Sequence, residues 1–222
     1  MSVRDSTPVI STRRTWLRAL AAAAVLTACG RKPPPARAVP AGAVVLALGD
    51  SITFGTGANP EAAYPAVLAQ LTGWQVVNAG VPGDTSAQAL ARTPGLLSQH
   101  APQLVLLGIG GNDLLRRLPE ADIRLNIRQI VAQSQAAGAQ VMLIAVPRPS
   151  LAAATLGSLT DHPLYAELAD ELRLPLQRQG WSEVLSDERL RSDAIHANAQ
   201  GYEQFARSLV ATARATGLLR TP

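Results

Sequence analysis

Beyond residue 42 the sequence alternates between short apolar runs and longer stretches with the periodicity of a helix. The apolar runs are continuous rather than alternating in polarity, which is typical of parallel strands covered by helices on both faces. They lie at residues 43–48, 75–78, 104–108 and 141–146, with a less regular one at 174–176. This alternation predicts an α/β fold of three layers, in which a central, mostly parallel sheet of about five strands lies between helices.

Helical periodicity fills the intervals between these runs. In the longest interval, Ile123, Ile127 and Ile130 recur at the spacing of one helix face, so we expect them to be buried. Gly138 follows this stretch at a position where glycine commonly ends a helix. The periodicity predicts helices over residues 62–71, 86–99, 120–137, 165–172 and 199–216.

The first 28 residues have the composition of an export signal. An alanine-rich apolar run at residues 20–26 follows several arginines, is too short to cross a bilayer, and leads into Leu26-Thr27-Ala28-Cys29. This pattern resembles a bacterial lipoprotein signal peptide, which is cleaved before a cysteine whose thiol is then lipidated. Because Cys29 is the only cysteine of the chain, no intrachain disulfide is possible, and we expect a membrane anchor at this residue. A conventional signal peptide with an incidental cysteine is the alternative.

The residues around Cys29 also bear on location. Gly30 stands where an aspartate commonly retains such proteins at the inner membrane, so the periplasmic face of the outer membrane is favoured. Arg13 and Arg14 are similar to a twin-arginine signal, and the export route stays open. The prolines at 33–35 favour an extended spacer. The sequence therefore predicts a signal peptide at 1–28, a Pro/Ala-rich tether at 29–42 and a domain at 43–222.

The basic character of the chain resides mostly in this leader. The formal net charge is +4, and four arginines against one aspartate within the first 28 residues supply three of these charges. The remainder is nearly neutral, so we do not expect nucleic acid as a partner.

Polar residues gather where the predicted strands end. Ser51 lies in Gly-Asp-Ser-Ile-Thr after the first strand, Gly83 in the loop after the second, and Asn112 in Gly-Gly-Asn-Asp after the third. Asp193 and His196 lie in Asp-Ala-Ile-His before the last helix. Because sites in open α/β sheets form beyond the carboxyl ends of the strands, we expect these residues at one edge. A hydroxyl, an imidazole and a carboxylate are the groups that nucleophilic catalysis requires.

These four blocks, in this order, resemble the GDSL, or SGNH, hydrolase family, close to its bacterial periplasmic acyl-thioesterase, lysophospholipase and arylesterase group. The resemblance runs from about residue 43 to about residue 210 and implies the flavodoxin-like, three-layer α/β/α fold of SGNH hydrolases. The sequence around Ser51 lacks the second glycine of the Gly-x-Ser-x-Gly elbow, which argues against an α/β-hydrolase.

The resemblance assigns a role to each of these residues. It implies that Ser51 is the nucleophile, that His196 is the general base and that Asp193 orients the imidazole. It also implies three oxyanion-hole donors, namely the backbone N–H groups of Ser51 and Gly83 and the side-chain amide of Asn112. The implied chemistry needs no cofactor, and the sequence offers no cluster of metal ligands.

Other ionisable residues receive a structural interpretation. Asp50, Asp84 and Asp113 are interpreted as turn or cap acceptors, with Asp84 or Ser86 as candidate caps of the following helix. His100 and His162 are interpreted as surface or capping residues, and a place for His162 at the mouth of the cleft stays open.

The substrate class depends on the loops that border the acyl groove in the family. Here these loops carry Leu114, Leu115, Leu151 and Leu156, which favour fatty-acyl or aryl esters or thioesters, including lysophospholipids, as small-molecule substrates. Packing of these leucines onto the core is the alternative. A carbohydrate or cell-wall O-acetylesterase is a second candidate function, and a non-catalytic, lipid-anchored binding protein is a third. The natural substrate and the oligomeric state stay open.

Overall fold

A computed structural model describes residues 1–2 and 36–220, with the side chains of Leu151 and Ala154 excepted. The chain divides into two units, Met1–Pro33 and Pro34–Pro222, and the fold described below is that of the second. The predicted signal peptide, Cys29 and most of the predicted tether lie outside the described residues.

Within the described residues, the second unit is built on one sheet of five parallel strands. Their order in the sheet is β2-β1-β3-β4-β5. This is the order of flavodoxin-like folds, in which the switch point beside the first strand opens a crevice at the carboxyl edge. The strands are β1 (Val44–Gly49), β2 (Gln75–Gly80), β3 (Leu104–Gly108), β4 (Gln140–Ile144) and β5 (Leu176–Gln177).

Nine α-helices in the described residues connect and cover these strands. Short 3₁₀ helices at Pro60–Ala62 and Glu188–Leu190 complete the connections. The α-helices are α1 (Ser51–Phe54), α2 (Tyr64–Thr72), α3 (Ser86–His100), α4 (Gly111–Leu115), α5 (Glu120–Ala136), α6 (Leu151–Thr155), α7 (Pro163–Leu172), α8 (Gly180–Ser186) and α9 (Ala199–Ala215).

Alternate residues of the central strands enter two separate hydrophobic cores. Val45 and Ala47 of β1 face a core formed with α2, α8 and α9, where Trp181 stacks on Phe205 with ring centroids 3.6 Å apart. Leu46 of β1, like Leu48, faces the other core, formed with α3, α5 and α7. Two helical layers therefore enclose the sheet, which confirms the predicted three-layer α/β/α fold.

Most predicted elements are present within two or three residues of their predicted bounds, and Gly138 adopts a positive φ of 86° after α5 as expected. Two expectations were wrong. Strand β2 lies at the edge of the sheet and is only partly buried, because it has a neighbour on one side alone. Helix α3 is capped by Thr85, which forms a reciprocal capping box with Gln88, rather than by Asp84 or Ser86.

The N-terminal end of the described domain packs at the amino edge of the sheet. The backbone of Arg37 exchanges two hydrogen bonds of 2.7 Å with the side chain of Gln140, the first residue of β4. The Val39 N–H donates to the carbonyl of Leu218 at 2.8 Å. Residues 37–39, within the predicted tether, are therefore already bound to the domain.

Within the described ranges, no helix combines the length and the apolar character that a membrane crossing needs.

Three glycines lie side by side at the opposite, carboxyl edge. Gly49 of β1 is in register with Gly80 of β2 and with Gly108 of β3. A Cβ atom on Gly80 would overlap the backbone nitrogen of Phe54, and one on Gly49 would overlap the side chain of Thr53. Helix α1 therefore packs directly against strand backbone, which places its first residue, Ser51, at this edge.

A methyl group added at Gly80 tests how closely α1 packs against β2. We expect Gly80→Ala to lower the free energy of unfolding by about 1–3 kcal/mol, because the obstructing atoms belong to the backbone. Gly95→Ala is the matched control: this glycine lies within α3 with open space where a methyl group would stand, and alanine there should stabilise by about 0.5–1 kcal/mol. Urea denaturation of both variants measures the difference, and equal effects would contradict the close packing of α1.

Candidate active site

Ser51 is the first residue of α1, immediately after the central strand β1. The side chain of Asp50 caps this helix, since its Oδ1 accepts a hydrogen bond of 3.1 Å from the Ile52 N–H. The helix ends at Gly55, whose φ of 102° is left-handed. Caps at both ends thus stabilise the single turn of α1, and the Ser51 hydroxyl lies at the start of that turn.

Asp193 and His196 are distant from Ser51 in sequence but meet it in space. The Nε2 atom of His196 lies 2.9 Å from Ser51 Oγ, and its Nδ1 atom lies 2.7 Å from Asp193 Oδ2. A carboxylate can only accept, so Nδ1 carries the imidazole proton and Nε2 is left to accept the Ser51 proton. The structure therefore brings the three predicted catalytic residues into one hydrogen-bonded chain.

The acid and the base share one tight turn. Asp193 Oδ1 accepts from the backbone N–H groups of Ile195 and His196, both at 2.8 Å. Partial burial raises the pKa of Asp193, but the hydrogen bond from the His196 ring and these two N–H groups outweigh it and hold the pKa below its ordinary value. Asp193 thus stays ionised and able to stabilise a charged imidazole.

Contacts on either side fix this turn to the body of the domain. The Ser192 N–H donates to the carbonyl of His196 at 3.0 Å, and the side chain of Asn198 caps α9 while donating to the carbonyl of Arg189 at 2.7 Å. In α9, Tyr202 donates its hydroxyl proton to the carbonyl of Thr56 at 2.7 Å. The helix after the acid–base turn is therefore bonded to the loop after the Ser51 helix.

The predicted oxyanion donors lie in neighbouring loops. Asn112 directs its side-chain nitrogen to the carbonyl of Asp84 at 3.0 Å and to Asp50 Oδ2 at 3.5 Å. Gly83 directly precedes Asp84 and has a positive φ of 84°. Within the described part of the chain, neither the Ser51 N–H nor the Gly83 N–H donates to an acceptor of the protein. Both are therefore available to an oxyanion.

Asp50 is a buried carboxyl group at the base of the site. Only 4% of its surface is exposed. Burial raises its pKa to about 6, against the lowering effects of the Ile52 N–H and His196, and the nearby carboxylates of Asp113 and Asp84 raise it further. Asp50 is thus a helix cap, as the sequence predicts, and also a group that titrates close to neutral pH.

The other two aspartates are structural, but their contacts are distant in sequence. Asp113 accepts from the Ser86 N–H at 2.8 Å and from the Ser86 hydroxyl at 2.6 Å, and so joins α4 to the start of α3. Asp84 pairs with Arg92 at 2.7 Å, and Arg92 also donates to the carbonyl of Gly49 at 2.9 Å. The sequence indicated local acceptors, and no local pattern revealed these long-range partners.

A cleft of about 680 Å³ opens beside Ser51. Of the leucines predicted to border it, Leu114 and Leu115 line it, whereas Leu156 is 78% exposed and lies elsewhere. The side chain of Leu151 is outside the described residues. Much of the remaining wall is apolar, and its apolar side chains include Val146, Pro147, Pro149, Leu159, Leu185 and Ile195.

Three ionisable residues outside the predicted catalytic and acyl-binding sets also line the cleft. They are Arg117, Arg148 and His162, the last of which caps α7 as well, its Nδ1 accepting from the Leu164 N–H at 3.4 Å. His162 therefore caps a helix and also lies in the cleft, so both interpretations from the sequence apply.

Among residues 1–2 and 36–220, no group of three or more His, Cys, Asp or Glu side chains has an arrangement that could hold a metal ion.

The family model described as the GDSL-like Lipase/Acylhydrolase family matches residues 47–204. The chain belongs to this family. It is 38% identical over 162 residues to the thioesterase 1/protease 1/lysophospholipase L1 of Escherichia coli strain K12, covering 69% of this chain and 75% of that protein. It is also 31% identical over 158 residues to an arylesterase of Vibrio mimicus, covering 68% of this chain and 78% of that protein.

Solved structures agree with this family assignment. A crystal structure of TesA superposes with a TM-score of 0.70 at 26% identity, covering 78% of this chain and 99% of that one. The GDSL-like family, its named esterase relatives and the hydrogen-bonded Ser51, His196 and Asp193 together identify this chain as a serine ester hydrolase.

The raised pKa of Asp50 predicts a pH-dependent stability. The ordinary value is 3.8 and the folded value about 6, so between these values the folded state holds a proton that the unfolded state has lost. This contribution to stability is complete below about pH 4 and is lost as the pH rises through about 6, a change of about 3 kcal/mol. Asp50→Asn keeps an oxygen that can cap Ile52 but does not titrate.

We therefore expect the unfolding free energy of Asp50→Asn, relative to wild type, to rise by about 2 kcal/mol between pH 4 and pH 7 in urea denaturation, most of the full change. Asp187→Asn is the control, because hydrogen bonds from Arg189 lower the pKa of the half-buried Asp187 to about 2 and leave it ionised throughout this range. A difference for Asp50→Asn that does not change with pH would show that this carboxyl group does not titrate there.

Proposed function

We propose that this enzyme hydrolyses carboxylic esters and thioesters of fatty-acyl or aryl groups through an acyl-Ser51 intermediate. The observation that carries the proposal is the position of the His196 ring, 2.9 Å from Ser51 Oγ on one side and 2.7 Å from Asp193 on the other. A neutral hydroxyl is a poor nucleophile until a base takes its proton, and this arrangement supplies that base.

The reaction proceeds in two halves. Ser51 Oγ attacks the substrate carbonyl carbon and its proton passes to His196 Nε2, which then gives that proton to the departing alcohol or thiol. Water next gives a proton to His196 and attacks the acyl carbon, and the ester bond to Ser51 breaks as Oγ recovers the proton. The carboxylic acid leaves, and the enzyme returns to its starting state.

Each attack places negative charge on the former carbonyl oxygen. The N–H groups of Ser51 and Gly83, which have no protein acceptor in the described residues, and the amide of Asn112 are proposed to bind this oxyanion. One N–H of the Asn112 amide donates to the carbonyl of Asp84 at 3.0 Å, and the other, which only reaches Asp50 Oδ2 at 3.5 Å, is the one proposed to bind the oxyanion. A donor positioned before reaction needs little reorganisation as charge develops.

The apolar wall of the cleft supports fatty-acyl or aryl substrates. Leu114, Leu115, Val146, Leu159 and Leu185 offer surface that an acetyl group would leave largely unused. The names of the relatives, a thioesterase/lysophospholipase and an arylesterase, point to the same class. An O-acetylesterase is the second candidate, but no feature of the cleft favours it. A binding protein would not need the base and acid that face Ser51.

Hydrolysis of p-nitrophenyl esters graded by acyl length tests these assignments. Ser51→Ala and His196→Ala should lower kcat about a thousandfold or more, because nucleophile and base act as one unit. Asn112→Ala should lower kcat about a hundredfold with little change in KM, because the oxyanion exists only after attack. Ser98→Ala, an exposed serine of α3, is the control and should match wild type.

Each outcome of this assay separates the candidate functions. Activity that survives Ser51→Ala would remove Ser51 as the nucleophile. A preference for acetate over longer acyl groups would establish the acetylesterase, and no wild-type turnover of any ester would favour the binding protein.

We also propose that the enzyme is an exported lipoprotein, held by a lipid on Cys29 at the periplasmic face of a membrane, the outer one in preference to the inner. The support is in the sequence: a short apolar run after several arginines, then Leu26-Thr27-Ala28-Cys29, and then a proline-rich segment. These residues lie outside those that the structure describes.

Cys29→Ser should move the protein from the membrane fraction to the soluble fraction, because the thiol that would carry the lipid is absent. Esterase activity per molecule should be unchanged, since the substitution lies outside the catalytic domain. Cell fractionation followed by the ester assay measures both quantities. An unchanged membrane fraction would contradict the lipid anchor, and Thr27→Ser, which leaves Cys29 in place, controls for substitutions near the cleavage site.

A further inference from the structure

The charge of the cleft beside Ser51 is unbalanced. Its ionisable lining residues are Asp50, Arg117, Arg148 and His162, and Asp50 is buried at the base. Both arginines are exposed, and within the described residues neither forms an ion pair with a carboxylate. Two guanidinium groups without acidic partners therefore face an otherwise largely apolar cleft.

Hydrogen bonds fix the backbone that carries Arg148. Its N–H donates to the carbonyl of Thr160 at 2.8 Å, next to an antiparallel bridge between Pro147 and Asp161. The carboxylate of Asp161 accepts from the Gln179 N–H at 2.7 Å and from the Ser182 hydroxyl. Hydrogen bonds therefore hold the base of the loop that follows β4 against the rest of the domain.

Arg117 occupies a backbone conformation that favours glycine. It follows α4 with a φ of 56°, and its N–H donates to the carbonyl of Leu114 at 3.1 Å, while the Leu118 N–H donates to the backbone carbonyl of Asp113 at 2.9 Å. Glycine would adopt this left-handed turn without steric cost, but the chain has an arginine here whose side chain lines the cleft.

The carboxylate beside His162 is already paired with another arginine. Glu120 lies 3.9 Å from His162 Nε2, but its carboxylate already accepts hydrogen bonds from Arg124 at 2.8 and 2.5 Å. Burial lowers the pKa of His162, and the positive charges of Arg148 and Arg124 lower it further against the effects of Glu120 and Glu167. These effects favour the neutral form of His162, which can donate or accept a hydrogen bond beside Arg148.

We propose that Arg117 and Arg148 form an anion-binding subsite of the cleft, which selects ester substrates that carry a negatively charged group besides the scissile ester. This inference rests on the proposed function. A guanidinium group presents several N–H donors in one plane, a geometry that suits the oxygens of a carboxylate or a phosphate. The charged group belongs either to the leaving alcohol, as in a lysophospholipid, or to the far end of the acyl chain.

Matched pairs of chromogenic esters test the subsite and locate the charge. The neutral reference is p-nitrophenyl octanoate. One anionic partner is the octanoyl ester of a nitrophenol with a carboxylate on its ring, and the other is the mono-p-nitrophenyl ester of octanedioic acid. The readout is the ratio of kcat/KM for each anionic ester to kcat/KM for the neutral one, which removes effects common to both substrates.

We expect the ratio for one anionic ester to fall about five- to tenfold in Arg148→Gln and in Arg117→Gly, and further in the double variant. The same ratio in wild type should fall with added salt. Arg117→Gly should fold at least as stably as wild type, because glycine suits the backbone there. Arg173→Gly is the matched control: Arg173 is exposed, has a φ of 54° and ends α7 at the amino edge, so it should leave both ratios unchanged.

The outcomes separate the two proposals. Ratios that are equal in wild type and in the double variant for both anionic esters overturn the subsite alone. If wild type hydrolyses none of the three esters, the proposed function fails and the subsite with it. A fall in the ratio for the ring-carboxylate ester assigns the subsite to the leaving group, and a fall for the octanedioate ester assigns it to the acyl chain.

Discussion

The contact between α1 and the carboxyl edge of the sheet is the constraint on which the active site depends. Gly49, Gly80 and Gly108 form a row across three strands, and Thr53 and Phe54 occupy the space that side chains would take on the first two. A nucleophile placed on strand backbone moves only if the sheet moves. The parallel pairing of β1 with β2 and β3 thus supplies the rigidity that the Ser51 hydroxyl needs.

Around this point the polar groups form one connected set. Asp50 caps the Ser51 helix and faces Asn112, which bonds to the Asp84 backbone, and Asp84 binds Arg92, which returns to the carbonyl of Gly49. Such a network specifies positions because each buried polar group has a partner. Burial within this network raises the pKa of the Asp50 carboxyl group, so part of the folding stability varies with pH near neutrality.

The sequence predicts the strands and the catalytic residues, because both are encoded in short local patterns. Continuous apolar runs revealed the strands, and the blocks around Ser51, Gly83, Asn112 and His196 revealed which residues meet. It did not reveal that Asp113 would cap a helix that begins 27 residues earlier, because that contact exists only when two loops converge. The place of Arg148 in the cleft was missed for the same reason, because it lies in a loop whose path depends on the folded domain.

The turn that holds both Asp193 and His196 has a wider consequence. The backbone N–H groups of this turn bind the Asp193 carboxylate, and that carboxylate orients the His196 ring. The position of the acid relative to the base is therefore determined within the four residues 193–196. The fold has to maintain only one long-range distance, that between His196 and Ser51. The loops after α4 and β4 take no part in that distance. They are free to diverge in length and charge, so descendants of one ancestor can acquire new substrates while their proton-transfer apparatus is inherited intact.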